Sequence, residues 1–312
     1  MKIHPAITQI SSIFFSVERV EMYLIKSEKI ALIDTGTNQS PQNDIAPALK
    51  GLGLTLADID LILNTHGHPD HIGGNATVKS VSNAQILIHT QDAISLQDHE
   101  RSFELYFAPV LEALFGKEFL KEEKARFLEM AGPDIAVDRT LEDNDVIHLG
   151  NECELRVIHL PGHSAGSVGF YWEKEGILFS GDSLPGLHNH TGGLPIISDF
   201  QAYQRSLERL QGLPVQLMLQ SHPFRGLSLP PSPIKQGEEI KQYLRDSSQV
   251  AEWISEAVSR IAPDMFGKPF MEIADKVVAT LPEKAGFKPI SQIPMPRFNA
   301  LTILSALNRL KQ

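Results

Sequence analysis

Short apolar runs separated by turn-forming residues dominate the first third of the chain and predict β-strands. They cover residues 10–17, 21–26, 30–33 and 59–63, and the third run leads directly into the sequence DTGT. Residues 41–52 have the pattern of a helix, with Ser40 as the predicted N-cap and Gly51 and Gly53 as stop signals. We therefore expect a strand-rich N-terminal region that contains one early helix.

The hydrophobic pattern changes to a helical period between residues 93 and 130. Aromatic residues concentrate there, and five of the fifteen phenylalanines fall in this stretch: Phe103, Phe107, Phe115, Phe119 and Phe127. The pattern predicts a helical insert over about residues 95–135.

Strand patterns return after the insert, at residues 146–149, 154–160, 168–172, 177–180 and 215–219. A helix is predicted to run to Gln211, with Asp199 as its N-cap. After the prolines at positions 230, 231 and 233, strand signals disappear and only helical spacing remains. We predict a first domain over residues 1–230 and a C-terminal helical region over residues 231–312.

The composition narrows the classes of function. Hydrophobic residues make up 42% and charged residues 21% of the 312 positions, which is typical of a globular protein. The net charge of -10 disfavours binding to nucleic acid. A single cysteine excludes an intrachain disulfide, and the N-terminus lacks the apolar run of a signal peptide or membrane span. We expect a cytoplasmic protein that contacts neither nucleic acid nor membrane.

One motif points to metal chemistry. His66, His68, Asp70 and His71 form an H-x-H-x-D-H pattern directly after a predicted strand. In a chain of this composition the pattern should arise by chance only about 0.001 times. Side chains at positions i and i+2 project the same way, so His66 and His68 can converge on one ion, while Asp70 and His71 can face a second. Imidazole and carboxylate ligands suit zinc and similar divalent metals.

Four side chains do not complete two coordination shells, so further ligands are expected at other strand ends. His163 in PGHSAGS, Asp182 in SGDS and His222 in SHP each follow a predicted strand. With this series of motifs, the chain resembles the metallo-β-lactamase superfamily over about residues 10–225. The resemblance implies an α+β fold, a four-layered αββα sandwich with a helical insert and a C-terminal helical appendage.

The resemblance also implies roles for particular residues. By it, one metal would be held by His66, His68 and His163, the other by Asp70, His71 and His222, with Asp182 bridging the pair. Asp34 matches a position that orients ligands through hydrogen bonds. The implied cofactors are two divalent ions, with zinc expected and iron or manganese left open.

The implied mechanism is attack by a metal-bridging hydroxide on an ester-like carbonyl, with Asp70 as the catalytic residue that accepts or relays a proton. The aromatic insert favours a small-molecule substrate with an apolar acyl group, either an acyl thioester or a lactone. His188, His190 and Tyr23 are candidate substrate contacts. The insert is expected either to cap the metals or to form a helical layer that is buried for stability or in a homodimer.

Two other functions stay open at this point. Phosphodiester cleavage is the closest chemical alternative, because the same bridged hydroxide serves it. A regulatory or binding protein that keeps the metallohydrolase fold is the second alternative. Penicillin cleavage is disfavoured, because true β-lactamases usually carry cysteine at the position of Asp182.

Overall fold

The computed structural model describes residues 1–14, 18–187, 193–261, 267–289, 292 and 296–309. Within these residues the chain forms two β-sheets, whose strands in chain order are β1 Lys2–His4, β2 Ile7–Phe14, β3 Glu18–Lys26, β4 Ile30–Ile33, β5 Leu61–Leu63, β6 Gln85–His89, β7 Arg139–Leu141, β8 Val146–Gly150, β9 Cys153–His159, β10 Val168–Trp172, β11 Ile177–Gly181, β12 Leu217–Gln220 and β13 Ile234–Gln236.

The first sheet has the order β1-β2-β3-β4-β5-β6-β7, and the second has the order β13-β12-β11-β10-β9-β8. Strands β1 to β4 pair antiparallel, whereas β4 to β7 pair parallel. In the second sheet β11 and β12 form a parallel pair between antiparallel neighbours. The parallel strands place the carboxyl ends of β4, β5 and β6 at one edge of the first sheet.

Helices cover the outer faces of both sheets. In the described part of the chain they are α1 Ala46–Lys50, α2 Pro69–Ile72, α3 Asn75–Val81, α4 Ile94–Gln97, α5 His99–Ser102, α6 Ala108–Phe115, α7 Leu120–Ala131, α8 Phe200–Gln211, α9 Glu238–Ile261, α10 Phe270–Thr280 and α11 Pro296–Arg309.

Three hydrophobic clusters define the layers. One lies between the sheets and includes Tyr23, Phe170 and Phe179. A second joins the outer face of the first sheet to the helices near its edge, and a third joins the outer face of the second sheet to α8, α9, α10 and α11. This arrangement confirms the predicted αββα sandwich with a helical C-terminal part.

Two local predictions need correction. The helix predicted over residues 41–52 is found over residues 41–50, as a π-helical turn at Pro41–Ile45 that continues directly into α1. Ser40 does not cap it, because the Ser40 hydroxyl instead accepts the Thr37 N–H at 3.0 Å and bonds the Ser12 hydroxyl at 2.8 Å. Strand β13 lies beyond residue 230, where no strand was expected, and it pairs antiparallel with β12.

The C-terminal helices share one core with the second sheet. Ile254 of α9 is fully buried, and α11 donates the Thr302 hydroxyl to the carbonyl of Pro195. None of the described helices combines the length and the apolar character needed to cross a bilayer. The division into two domains near residue 230 stays a prediction.

Replacing Ile254 by alanine should lower the free energy of unfolding by about 2–5 kcal/mol, because the cavity left in a fully buried site cannot close completely. Urea denaturation followed by circular dichroism measures this loss. Glu256→Ala on the exposed face of the same helix is the matched control and should leave the midpoint nearly unchanged. Equal midpoints for the two variants would contradict this packing.

Candidate metal centre

The seven predicted ligands lie at the carboxyl ends of four strands. The segment bearing His66 to His71 follows β5, and His163, Asp182 and His222 follow β9, β11 and β12. The structure brings them into three overlapping groups whose ligand atoms lie within 4.8 Å of one another. These groups are His66, His68 and His163; His66, His71 and Asp182; and Asp70, His71 and His222.

The first group is made of imidazoles. Nε2 of His163 lies 2.9 Å from Nδ1 of His68, and the rings of His66 and His163 have centroids 4.8 Å apart. All three rings therefore point into one small space, as sequence spacing alone predicted only for His66 and His68.

The second group combines imidazole and carboxylate. Oδ2 of Asp70 lies 3.3 Å from Nε2 of His222 and 3.5 Å from Nε2 of His71. Asp182 lies between the groups, because its Oδ2 is 3.2 Å from His222, 3.6 Å from His71 and 3.7 Å from His163.

Three ligand atoms of the cluster are buried without a hydrogen-bond partner. They are Nε2 of His66, Nε2 of His71 and Oδ1 of Asp182. Buried polar atoms are normally paired, because leaving one unpaired costs about 1–3 kcal/mol. One ligand atom from each of these three residues lies within 4.8 Å of the others. Together they form a donor set that a divalent cation would satisfy, so the residues present fit a metal site.

Three of the five imidazoles are oriented through their Nδ1 atoms. Nδ1 of His71 donates to Oδ2 of Asp34 at 2.9 Å, and the ring nitrogens of His163 and His222 bond the carbonyls of Ile196 and Arg19 at 2.9 and 2.6 Å. Such contacts fix the ring orientation and leave Nε2 free for a metal. Asp34 therefore contacts the ring of His71, and its role in orienting a metal ligand stays a prediction.

Two glycines allow ligand-bearing segments to pack closely against their neighbours. Gly162 has φ +140°, and an added Cβ would lie 2.6 Å from the Cα of Tyr203. Gly181 has φ +53°, and an added Cβ would lie 2.4 Å from the hydroxyl oxygen of Thr65. A larger residue at position 162 would push the loop of His163 away from α8, and one at position 181 would push the end of β11 away from the loop that bears His66.

The histidines of the cluster fall into two groups, one with lowered and one with raised pKa values. Burial lowers the pKa of His66 and His163, and burial together with His163 lowers that of His68 to about 3. For His71, burial is outweighed by Asp70, Asp182 and Asp34, which raise its pKa to about 10.

The pKa values of His222, Asp70 and Asp182 are also set by burial and by the charges beside them. Burial would lower the pKa of His222, but Asp182 and Asp70 raise it well above its ordinary value. Burial opposes ionisation of Asp70 and Asp182, yet the adjacent His71 and His222 outweigh it and lower both carboxyl pKa values. Both aspartates are therefore anionic at neutral pH.

An apolar cavity of about 290 Å³ opens onto the cluster. The insert supplies most of the apolar side chains among its described lining residues. Phe107 contacts both His68, at a ring-centroid distance of 5.4 Å, and Phe127, at 4.9 Å. Leu301 of α11 completes the lining. The insert thus lies over the cluster while Phe103 and Phe127 are themselves buried. Its burial in a homodimer stays a prediction.

Of the three candidate substrate contacts, the structure describes only Tyr23. Tyr23 is 1% exposed between the sheets, where its hydroxyl donates to the carbonyl of Gln220 at 2.6 Å. It does not line the cavity, and we assign it to the core instead. His188 and His190 lie outside the described residues, so their contact with substrate stays a prediction.

Sequence reasoning missed Asp92, which lies just after β6. Its buried carboxylate accepts the Gly67 N–H at 2.9 Å, the Gly166 N–H at 2.8 Å and the Ser164 hydroxyl at 2.6 Å. It therefore fastens the loop of His66 and His68 to the loop of His163. Its position after a parallel strand, at the same sheet edge as Asp34, was the signal available in the sequence.

Residues 17–222 match the family model described as the Metallo-beta-lactamase superfamily. A hydroxyacylglutathione hydrolase from Rhodospirillum rubrum is 27% identical over 177 residues, which are 56% of this chain and 51% of that protein. An acyl-coenzyme A thioesterase from Gallus gallus is 30% identical over 177 residues, which are 54% of this chain and 58% of that protein. The chain spans about half the length of the curated relatives it matches.

Solved structures agree in fold. A metallo-beta-lactamase family protein from Thermus thermophilus superposes with a TM-score of 0.69 at 20% identity, covering 99% of this chain and 95% of that one. A beta-lactamase domain protein from Burkholderia ambifaria superposes with a TM-score of 0.66 at 16% identity, covering 100% of this chain and 88% of that one. At these identities the likeness concerns the fold.

Asp92→Asn should lower the free energy of unfolding by about 1–3 kcal/mol, because an amide cannot accept from both glycine N–H groups and the Ser164 hydroxyl as the carboxylate does. Urea denaturation measures the loss, and the imidazole ¹⁵N signals of His68 and His163 should shift as their loops separate. Asp138→Asn is the control, because that carboxylate bonds Lys79 and the Ile86 N–H far from the cluster. Unchanged His68 and His163 signals in Asp92→Asn would contradict the fastening role.

Proposed function

The chain belongs to the metallo-beta-lactamase superfamily, and from this premise we propose that it is a metal-dependent hydrolase of ester-like carbonyl compounds with an apolar acyl group. The observation that carries the proposal is the position of the buried His and Asp cluster at the base of an apolar cavity. Cavities of this kind, with a few convergent polar groups, are typical of small-molecule sites.

We propose two divalent ions as cofactors, with zinc expected. His66, His68 and His163 would hold one ion, Asp70, His71 and His222 the other, and Asp182 both. Such a pair supplies a nucleophile by lowering the pKa of water and polarises the substrate carbonyl.

The chain's own residues would do the rest. Asp70 is anionic and 16% exposed, so its carboxylate can accept a proton and pass it towards the leaving group. Phe107, Val110 and Met130 would bind the acyl group and keep bulk water from the reacting carbonyl. Asp34 would hold His71 in one orientation through the reaction.

An acyl thioester or a lactone is the proposed substrate class. The names of the two relatives described above, one acting on hydroxyacylglutathione and one on acyl-coenzyme A, support thioester cleavage. A cytoplasmic location and a homodimer stay predictions.

Zinc-loaded protein should hydrolyse apolar thioesters or lactones and lose that activity when a chelator removes the metal, and elemental analysis should find about two ions per chain. His68→Ala should lower kcat/KM at least about 100-fold, because it removes one imidazole ligand. His148→Ala is the control, because this exposed histidine on β8 pairs only with Glu154 among the described contacts.

Other outcomes favour the alternatives. Turnover of bis(p-nitrophenyl) phosphate without turnover of any ester would favour phosphodiester cleavage. A cellular phenotype that survives His68→Ala together with Asp182→Ala would favour a regulatory role. Wild-type ester hydrolysis by His68→Ala would contradict the proposed site.

Metal binding should release protons. At pH 7 His71 and His222 are protonated in the metal-free protein because their pKa values are raised, and each must lose its Nε2 proton to become a ligand. Affinity should therefore rise with pH up to about 10, the range in which metal-free His71 is protonated, by up to about tenfold per unit for each proton released. Calorimetric titration in two buffers of different ionisation enthalpy counts these protons.

The His222→Gln variant should release fewer protons on metal binding than the wild type. Binding that releases no protons at pH 7 would contradict the proposed ligand roles of both histidines.

A further inference from the structure

A buried tyrosine of the C-terminal helical region lies between the segments that carry Asp182 and His222. Tyr243 belongs to α9, and its side chain is fully buried. Its hydroxyl donates to the carbonyl of Leu184 at 2.9 Å and accepts the side-chain N–H of Gln220 at 3.0 Å. Leu184 follows Asp182 by two residues, and Gln220 precedes His222 by two residues. One hydroxyl therefore joins the two segments close to their proposed metal ligands.

The hydroxyl completes a triangle of hydrogen bonds, because the Gln220 amide also donates to the Leu184 carbonyl at 3.3 Å. Burial raises the pKa of Tyr243 well above its ordinary value, so the hydroxyl is protonated at neutral pH and can donate. A buried polar group that loses its partner is destabilised by its lost hydration. The triangle therefore opposes movements that separate the end of β12 from the segment after β11.

The main chain does not make this link. The parallel ladder of β11 and β12 ends at Gly181, and pairing resumes where Leu187 and Arg225 exchange two backbone hydrogen bonds at 3.1 Å. Between these points, residues 182–186 and 221–224, which the structure describes in full, share no backbone hydrogen bond. The two metal ligands lie in these stretches, so the hydroxyl triangle joins the segments where the ladder has ended.

The ring of Tyr243 packs against a second contact to the same segment. Nζ of Lys235, on β13, lies 4.9 Å from the centre of this ring and donates to the carbonyls of Phe224, at 3.0 Å, and Ser232. The ring of Phe224 in turn lies 5.7 Å from that of His222. Because phenylalanine would keep the ring and its packing, the hydroxyl can be removed alone.

We propose that Tyr243 is a positioning residue of the metal centre, whose hydroxyl sets the separation of Asp182 and His222. This inference rests on the proposed function and adds a residue of the C-terminal helical region to its metal centre. Oδ2 of Asp182 lies 3.2 Å from Nε2 of His222. Both side chains would bind the ion that Asp70 and His71 hold, whereas only Asp182 would bind the ion of the three other histidines. Loss of the hydroxyl should therefore weaken the first of these ions more than the second.

Zinc titration of the metal-free full-length chain, in competition with a colorimetric chelator, tests the proposal without an activity assay. Tyr243→Phe should lower the affinity for the ion at His222 about tenfold, as loss of an outer contact to a ligand commonly does, and leave the other ion within about twofold. The imidazole ¹⁵N signals of His222 and His68 report which of the two sites is filled. In the metal-free variant the His222 signals should shift and those of His68 should stay.

Tyr171→Phe is the matched control. Tyr171 of β10 is also buried, and its hydroxyl donates to the carbonyl of Pro214 at 3.2 Å, beyond the amino end of β12 and away from the cluster. This variant loses a buried hydroxyl as Tyr243→Phe does, but both zinc affinities should equal those of the wild type.

Gln220→Met opens the same triangle from its other side and keeps the tyrosine, so it tests the proposal even where Tyr243→Phe does not fold. It should weaken the ion at His222 to a similar degree. The double variant should bind this ion no more than about twofold less tightly than either single variant, because both changes remove one shared interaction.

The outcomes separate two failures. Wild-type affinities in Tyr243→Phe and Gln220→Met, equal weakening of both ions, or the same weakening in Tyr171→Phe would overturn this inference and leave the proposed hydrolase intact. Failure of both triangle variants to fold would also overturn it, because the triangle would then serve the fold and not the ligands. A wild-type chain that binds no zinc would overturn the proposed function, and this inference with it.

Discussion

The buried carboxylate of Asp34 is the interaction on which the geometry of the candidate site depends. It is fully buried, accepts the Thr65 N–H and hydroxyl at 2.8 Å, accepts Nδ1 of His71 at 2.9 Å and lies 3.4 Å from the Ser221 hydroxyl. Thr65 precedes His66, and Ser221 precedes His222. One anion thus joins a loop of the first sheet to a loop of the second, and charge-assisted bonds of this kind are stronger than neutral ones.

Asp92 fastens a different pair of loops in the same manner. Asp34 connects the loops of His71 and His222, whereas Asp92 connects the loop of His68 with that of His163. The two aspartates follow β4 and β6, on either side of the strand that delivers the histidine motif. The parallel arrangement of β4, β5 and β6 is therefore what allows two buried carboxylates to flank one set of ligands.

Local patterns in the sequence predicted the elements that depend on local physics. The capping of α8 by Asp199, the positions of most apolar strands and the spacing of His66 to His71 follow from residues that are neighbours in the chain. The predictions for Ser40 and Tyr23 were wrong because both residues have partners that are distant in the sequence. Ser40 bonds Ser12, and Tyr23 bonds Gln220 across the sandwich, so both are explained by partners that only the assembled fold brings near.

The insert shows the same limit on a larger scale. Its aromatic composition and helical period were visible, but not its division into short helices by a π-helical turn at Phe103–Phe107 and by Gly116, which has φ +79°. That division turns Phe107 towards His68 while Phe127 supports it from α7. The hydrophobic period predicts that one face of a helix is apolar. Which surface that face packs against is decided by the tertiary structure.

The point at which the insert leaves the sheet lies beside this cluster. The chain departs at Asp92, within the turn Thr90–Asp92, and returns to the same sheet at β7, which pairs parallel with β6. Asp92 is thus both the link between two ligand loops and the anchor from which the cap begins. Any movement of the cap that pulls on this turn also acts on the Gly67 and Gly166 N–H groups. The apolar wall and the polar cluster therefore keep their relative position through one buried carboxylate, which is the condition for holding an acyl group against a reacting centre.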